Sequence, residues 1–172
     1  MIEIAKAQEC HVEDIGKLFW EFIVFHQNID AIWTPGNNAI PCFIEDHLSK
    51  FMKSEDRLAL VALDDSRSIG YSLSEIKRIP PGPKREDYGY IDQLAITAIY
   101  RRRGVGEKMY AEIVKWFQSR GIRRIELGTT ARNTVANSFW QKQGFTVYMH
   151  TLFSELECNE VNQGPSSKPN DK

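Results

Sequence analysis

The sequence is poor in cysteine and has no long hydrophobic run. Its three cysteines, Cys10, Cys42 and Cys158, are widely spaced, and no CxxC pair occurs. An odd number of distant cysteines argues against a disulfide framework and against a zinc site. It is typical of a protein of the reducing cytoplasm. No stretch reaches the roughly 18 apolar residues of a membrane span, and the N-terminal residues lack the layout of a signal peptide. We therefore expect a cytoplasmic protein that has no membrane partner.

Histidine is also scarce, and the four histidines form no recognisable metal motif. There is no HExxH, no close pair of histidines and no GxSxG or local Cys–His signature. We interpret all four as surface or core residues and expect no metal ion. They are His11, His26, His47 and His150.

An excess of positive charge is missing as well. The formal net charge is −1, so the surface as a whole does not attract nucleic acid. Any basic patch must be local, and the candidates are Arg101–Arg103 together with Arg123 and Arg124. Because no nucleic-acid-binding motif accompanies them, we expect no nucleic-acid partner.

The composition that remains is that of a globular protein. Hydrophobic residues make up 42% of the 172 residues and charged residues 26%, which is ordinary for one domain with a sizeable core. The last residues, NEVNQGPSSKPNDK, have almost nothing to bury. We predict a single domain over residues 1–157 and a flexible C-terminal tail over residues 158–172.

Hydrophobic periodicity predicts the secondary structure. The order is β-α-α-β-β-β-α-β-α-β, with a possible second strand at the end. This order predicts a mixed sheet flanked by helices, in the α/β or α+β class. The predicted strands cover residues 2–7, 58–63, 69–79, 88–97, 123–130 and 145–156, and the predicted helices cover 12–27, 43–53, 105–120 and 133–143.

The stretch 88–97, YGYIDQLAIT, is apolar on both of its faces. Strict alternation puts Ile91 and Ala95 on one face and Tyr90, Leu94 and Ile96 on the other. A strand of this kind is usually central and covered on both sides. We therefore expect it to lie in the middle of the sheet.

A turn rich in arginine and glycine, Arg101–Gly106, follows that strand and opens a helix. Helix N-termini carry unpaired N–H groups that suit anions, glycine lets backbone approach a ligand, and arginine adds forked donors for phosphate. The alternative is a solvated, charged turn. It is neither a Rossmann fingerprint, which needs a third glycine where Met109 stands, nor a P-loop.

A second motif lies further along the chain and, together with the first, identifies a family. It comprises Asn133, Ala136, Phe139, Lys142, Gly144 and Phe145, with Trp140 where tyrosine is usual. The pair resembles the GNAT superfamily of acyl-CoA-dependent N-acetyltransferases, whose acyl-CoA loop reads Q/R-x-x-G-x-G/A. The resemblance is strongest over residues 88–146. It implies a mostly antiparallel central sheet flanked by helices, and residues 1–157 as one N-acetyltransferase domain.

The resemblance also implies acetyl-CoA as co-substrate and a set of residues that bind it. Backbone groups of the central strand would bind the pantetheine arm, amides of the turn would bind the pyrophosphate, the Asn133 side chain would bind the pantetheine, and Trp140 would pack against it. These implied cofactor-binding residues are Leu94, Ala95, Ile96, Arg101, Arg102, Arg103, Gly104, Val105, Gly106, Glu107, Asn133 and Trp140.

For the chemistry, the resemblance points to Asp92 as the base that takes a proton from the amine. The alternative is a structural acid at a strand bulge, and Glu75 and Glu126 are weaker candidates. The indole of Trp140 cannot protonate the leaving thiolate as the usual tyrosine would. Either the thiolate leaves unaided or another donor, such as Tyr148 or water, acts.

The function implied is acetyl transfer to a primary amine of a small molecule or peptide, directly, within a ternary complex. The alternative is a sensor or partner-binding module that binds acyl-CoA without turnover, to which Trp140 gives some weight. The resemblance places the acceptor site partly in the loop from Asn28 to Cys42, and the identity of the amine is not legible there. A homodimer is possible.

Overall fold

The computed structural model describes residues 1–78 and 86–154, which form one five-stranded sheet with helices on both faces. The sheet order is β1-β2-β3-β4-β5, antiparallel from β1 to β4 and parallel between β4 and β5. The strands are β1 (Ile2–Lys6), β2 (Arg57–Asp64), β3 (Arg67–Lys77), β4 (Tyr88–Ile96) and β5 (Ile125–Leu127). The helices are α1 (Val12–Gln27), α2 (Ala39–Cys42), α3 (Ser49–Lys53), α4 (Val105–Ser119) and α5 (Thr134–Lys142).

The two faces of the sheet are covered by different helices, as the doubly apolar stretch 88–97 predicted. Helix α4 covers one face, because its buried residues recur every fourth position. Helix α1, α3 and the turn before α3 cover the other face. Each fully buried aliphatic or aromatic side chain contributes about 1.5–3 kcal/mol. The α4 residues are Val105, Met109, Ile113 and Phe117, and those of α1 are Ile15, Leu18 and Phe19.

Strand β4 contains a bulge at Asp92. Opposite it on β3, Leu73 pairs with Gln93 while Ser74 pairs with Ile91, so Asp92 is the extra residue. The bulge makes the predicted strict alternation wrong. Ile91 and Leu94 pack on the α4 side of the sheet, whereas Asp92 lies between them and is partly exposed.

Other predictions also need correction. The second helical segment begins earlier than residue 43, at Ala39, and its middle, Phe43–Leu48, is a π-helical turn. The strand predicted over 123–130 is only the three-residue β5. The predicted tail 158–172 and most of the segment 80–87, between the predicted strands 69–79 and 88–97, lie outside the described residues.

The last predicted strand, 145–156, does not form in the part that the structure describes, 145–154. A strand needs an edge to pair with. Strand β5 ends at Leu127, so it offers no edge beyond that residue for a further strand to pair with. The apolar side chains that suggested a strand are exposed, among them Val147, Leu152 and Phe153. Across residues 1–78 and 86–154, no helix is long and apolar enough to cross a membrane.

Candidate active site

The N-terminus of α4 presents a run of unpaired backbone amides. Within residues 1–78 and 86–154, the six amides from Arg102 to Glu107 donate no hydrogen bond, and the first that does is Lys108 N, to Gly104 O at 3.1 Å. The preceding backbone is bent by positive φ angles at Arg102 (62°) and Gly104 (77°). Successive free N–H groups at the positive end of a helix make an anion-binding concavity.

The two glycines of the turn are there for different reasons. Gly104 adopts left-handed backbone, and a Cβ placed on it would meet no described atom within 4 Å, so the space above the amides is open. A Cβ on Gly106 would lie 3.3 Å from the Phe139 ring. Gly104 therefore leaves the free amides accessible, and Gly106 lets α4 pack closely on α5.

The three arginines of the turn are not equivalent. Arg101 folds back on the protein, since its Nε donates to Ile96 O at 2.9 Å and its guanidinium stacks over the Phe25 ring at 4.7 Å. Arg103 lies over Tyr100 at 5.2 Å, and both Arg102 and Arg103 are exposed. Arg101 thus fixes the end of β4, while the other two leave their charge at the surface beside the free amides.

Beyond Ile91, strands β4 and β5 separate. They pair from Gly89–Ile125 to Ile91–Leu127 and no further. The following residues of β4, among them Leu94, Ala95 and Ile96, therefore keep an edge that β5 does not pair. This open edge leads toward the N-terminus of α4, which makes a slot suited to an extended ligand arm with an anionic end.

Asn133 and Trp140 lie at the start and in the last turns of α5, and both side chains are buried. The Asn133 side-chain oxygen accepts from Ala136 N at 3.0 Å and caps α5. Its amide nitrogen lies 3.4 Å from His26 Nε2, while His26 Nδ1 lies 2.8 Å from the Phe22 carbonyl. Because a carbonyl only accepts, His26 Nδ1 carries the proton and Nε2 accepts from Asn133.

Trp140 lies in an aromatic cluster of α4, α5 and the segment after α5. Its ring centroid is 5.7 Å from Tyr110, 4.8 Å from Phe139 and 5.3 Å from Phe145. Burial raises the pKa of the Tyr110 phenol. The position of Trp140 is that of a packing residue.

Asp92 makes a contact that the sequence did not predict. Its Oδ2 lies 2.8 Å from Nε2 of His47, for which the sequence indicates only a surface or core position. The two residues are 45 positions apart, and the π-helical turn that carries His47 has no sequence signature. No pattern in the sequence therefore predicts that they are in contact. The structure therefore adds His47 to the candidate site.

The negative charge of Asp92 also influences its neighbours on the sheet. Burial raises the pKa of the Tyr71 phenol well above its ordinary value, and the charge of Asp92 adds to the rise. Tyr71 therefore stays protonated and donates to Gln93 Oε1 at 2.6 Å. Burial and then Asp92 likewise raise the pKa of Tyr90.

The weaker acid candidates and the alternative proton donor are placed elsewhere. Glu75 pairs with Arg57 at 3.2 Å, and Glu126 pairs with Arg124 at 2.6 Å. Tyr148 is exposed, with the Arg124 guanidinium 4.5 Å from its ring centroid. Over the described ranges, no group of three or more His, Cys, Asp or Glu side chains could hold a metal ion.

Comparison with known proteins decides the family. A family model described as "Acetyltransferase (GNAT) family" matches residues 18–145. The chain belongs to the GNAT acetyltransferase family. This GNAT protein is accordingly an acyltransferase, and the match covers both motifs that carried the resemblance.

Relatives of this GNAT chain act on different amines. It is 23% identical over 114 residues to an aminoglycoside N(6')-acetyltransferase type 1 of Salmonella typhimurium, covering 66% of this chain and 72% of that one. It is 32% identical over 98 residues to N-alpha-acetyltransferase 30 of Schizosaccharomyces pombe, covering 57% and 63%.

A solved structure shares the fold. The aminoglycoside N-acetyltransferase AAC(6')-Iy, in complex with CoA, has a TM-score of 0.69 at 18% identity, covering 92% of this chain and 96% of that one.

Proposed function

We propose that this GNAT protein transfers an acetyl group from acetyl-CoA to a primary amine of a small molecule or peptide, directly, within a ternary complex. The observation that supports this most is the slot beyond Ile91. Six free amides at one end of the slot suit a pyrophosphate, and a carboxylate at Asp92 stands near its other end.

The residues present fit acetyl-CoA. Amides of Arg102 to Glu107 would hold its pyrophosphate, and the unpaired edge at Leu94–Ile96 would bind the pantetheine as an added strand does. Asn133 would offer its second amide hydrogen, and Trp140 a packing surface. Arg101 contributes by fixing the end of β4, whereas Arg102 and Arg103 add positive charge.

Acetyl-CoA supplies a thioester that an amine can attack. For the attack, the amine must be neutral and its nitrogen must lose a proton as the new C–N bond forms and the C–S bond breaks. We assign the removal of this proton to Asp92, directly or through water, and a general base typically contributes about 10²–10⁴-fold. Holding both reactants in line supplies much of the remaining acceleration.

The leaving thiolate needs no dedicated acid in this protein. Trp140 replaces the usual tyrosine, and an indole N–H does not donate a proton of that kind. Thiols titrate near pH 8.5, so the thiolate is a moderate leaving group at neutral pH. Water completes the protonation after release.

Small-molecule amines are the first class to test, because of the aminoglycoside-acetylating relative; peptide α-amines are the second, because of the N-alpha-acetylating one. The experiment measures CoA release from acetyl-CoA with an aminoglycoside, a free amino acid, a peptide with a free N-terminus and the same peptide blocked. We expect release that depends on the acceptor. Tight acetyl-CoA binding with no release for a broad amine panel would favour the sensor alternative instead.

A further inference from the structure

His47 lies between two aromatic rings on one side of the second helical segment. Phe43, His47 and Phe51 follow one another at intervals of four residues, and the His47 ring centroid is 5.8 Å from Phe43 and 5.0 Å from Phe51. Phe43 and Phe51 are themselves buried, so they restrict the imidazole to one orientation. The segment around His47 is the π-helical turn Phe43–Leu48, a form that is frequent at functional sites.

The contact between His47 and Asp92 has a defined direction. An ionised carboxylate has only acceptor positions, so a bond of 2.8 Å from Nε2 to Oδ2 requires the proton on Nε2. This holds whether or not Nδ1 is also protonated. Within the described ranges, Asp92 Oδ1 has no hydrogen-bond partner, and the side chains of His47 and Asp92 are 38% and 26% exposed. Solvent, or an acceptor, can therefore reach the pair.

We propose that His47 is a positioning residue for Asp92: its Nε2–H holds Oδ2, which leaves Oδ1 to face the acceptor amine. This rests on the proposed function, in which Asp92 takes the amine proton. The proton passes from the amine nitrogen to Oδ1, and His47 keeps its own. A carboxylate on a bulge, without this contact, would rotate between several positions, and a misplacement of about 1 Å can cost 10²-fold in rate.

The kinetic test uses two variants of His47 and one control. His47→Leu removes the donor, His47→Gln retains an N–H donor of similar reach, and His150→Leu removes an exposed histidine of the segment after α5. We expect His47→Leu to lower kcat at least tenfold with KM for acetyl-CoA within twofold. His47→Gln should recover most of kcat, and His150→Leu should equal the wild type.

The outcomes separate this inference from the proposed function. With an active wild type, full kcat in His47→Leu, or equal losses in the Leu and Gln variants, would overturn the positioning role alone. A wild type that turns over no amine would overturn the proposed function, and the positioning role with it.

An NMR measurement on the wild type tests the same inference if the His47→Leu variant does not fold. Nitrogen-15 NMR of histidine-labelled wild type should show the His47 proton on Nε2, and Asp92→Ala should change that signal. A wild-type ring without a proton on Nε2 would overturn the inference without any kinetic measurement.

Discussion

The carboxyl group of Asp92 has one oxygen bound to His47, and its other oxygen has no partner in the ranges 1–78 and 86–154. If it is the base, Asp92→Asn should lower kcat at least tenfold, since an amide cannot take the proton. Calorimetric affinity for acetyl-CoA should stay within twofold. Asp46→Asn, at an exposed acid on the same turn as His47, is the matched control. A fully active Asp92→Asn would show that the base lies elsewhere or that no protein base is needed.

Trp140 is the residue at which the sequence departs from its family. Because it packs among Tyr110, Phe139 and Phe145 and donates no proton, Trp140→Phe should keep kcat within about tenfold, which is roughly 1.4 kcal/mol of barrier. Trp140→Ala is less informative, because deleting a buried indole costs about 3–5 kcal/mol of stability. Steady-state kinetics with the best acceptor measures the effect. A loss of several orders of magnitude at unchanged affinity would assign chemistry to the indole N–H.

At single residues, the sequence predicted the candidate site residues that belong to local motifs. It did not predict side-chain contacts between residues that are distant in the chain. Motif position alone predicted that Asp92 matters, although its role stays a proposal. His47 was missed because its partner is on another element. Arg101 was grouped with its neighbours because the sequence cannot tell an arginine that folds back onto Ile96 O from one that stays in solvent.

At the scale of elements, the N-terminus of α4 is the proposed pyrophosphate site, and the two ends of that helix supply a matched pair of variants. Gly104 (φ 77°) and Gly121 (φ 73°) both adopt left-handed backbone, with no described atom within 4 Å of an added Cβ. Gly104→Val and Gly121→Val should each lose on the order of 1–2 kcal/mol of unfolding free energy from backbone strain. Only Gly104→Val should also weaken CoA binding, at least tenfold.

The two measurements are urea unfolding and calorimetric titration with CoA. Equal CoA affinities in the two glycine variants would show that the turn before α4 does not bind the pyrophosphate. The turn would then be an ordinary charged start of a helix.

Elements with a clear hydrophobic periodicity were predicted well. Elements whose formation depends on pairing with a neighbouring strand were not. Helix α1 spans Val12–Gln27, which is the predicted range, because the helical spacing of its apolar residues is visible within the segment itself. The last strand was wrong because strand formation depends on a partner edge, which the short β5 does not provide. The bulge at Asp92 puts Ile91 on the same face as Leu94 and Ile96 rather than on the face of Ala95, since one extra residue shifts the alternation of all that follow.

At the scale of the whole molecule, acetyl-CoA should stabilise the fold. A ligand at 100 times its Kd adds about 2.7 kcal/mol to the unfolding free energy. For a chain of this size, each kcal/mol raises Tm by about 2–4 °C, so a rise of roughly 5–10 °C is expected. Scanning fluorimetry or calorimetry checks this. A folded sample whose Tm does not move with millimolar acetyl-CoA would contradict the proposed co-substrate.

A single-turnover experiment distinguishes direct transfer of the acetyl group within a ternary complex from transfer through an acetylated protein. Protein in excess over acetyl-CoA is mixed with the best acceptor and stopped at successive times, and both protein and acceptor are weighed by mass spectrometry. We expect one acetyl group on the acceptor amine, formed as acetyl-CoA disappears, with no acetylated protein at any time. An acetylated protein that forms first and decays as the product appears would contradict direct transfer, and bound acetyl-CoA that never reacts would contradict transfer altogether.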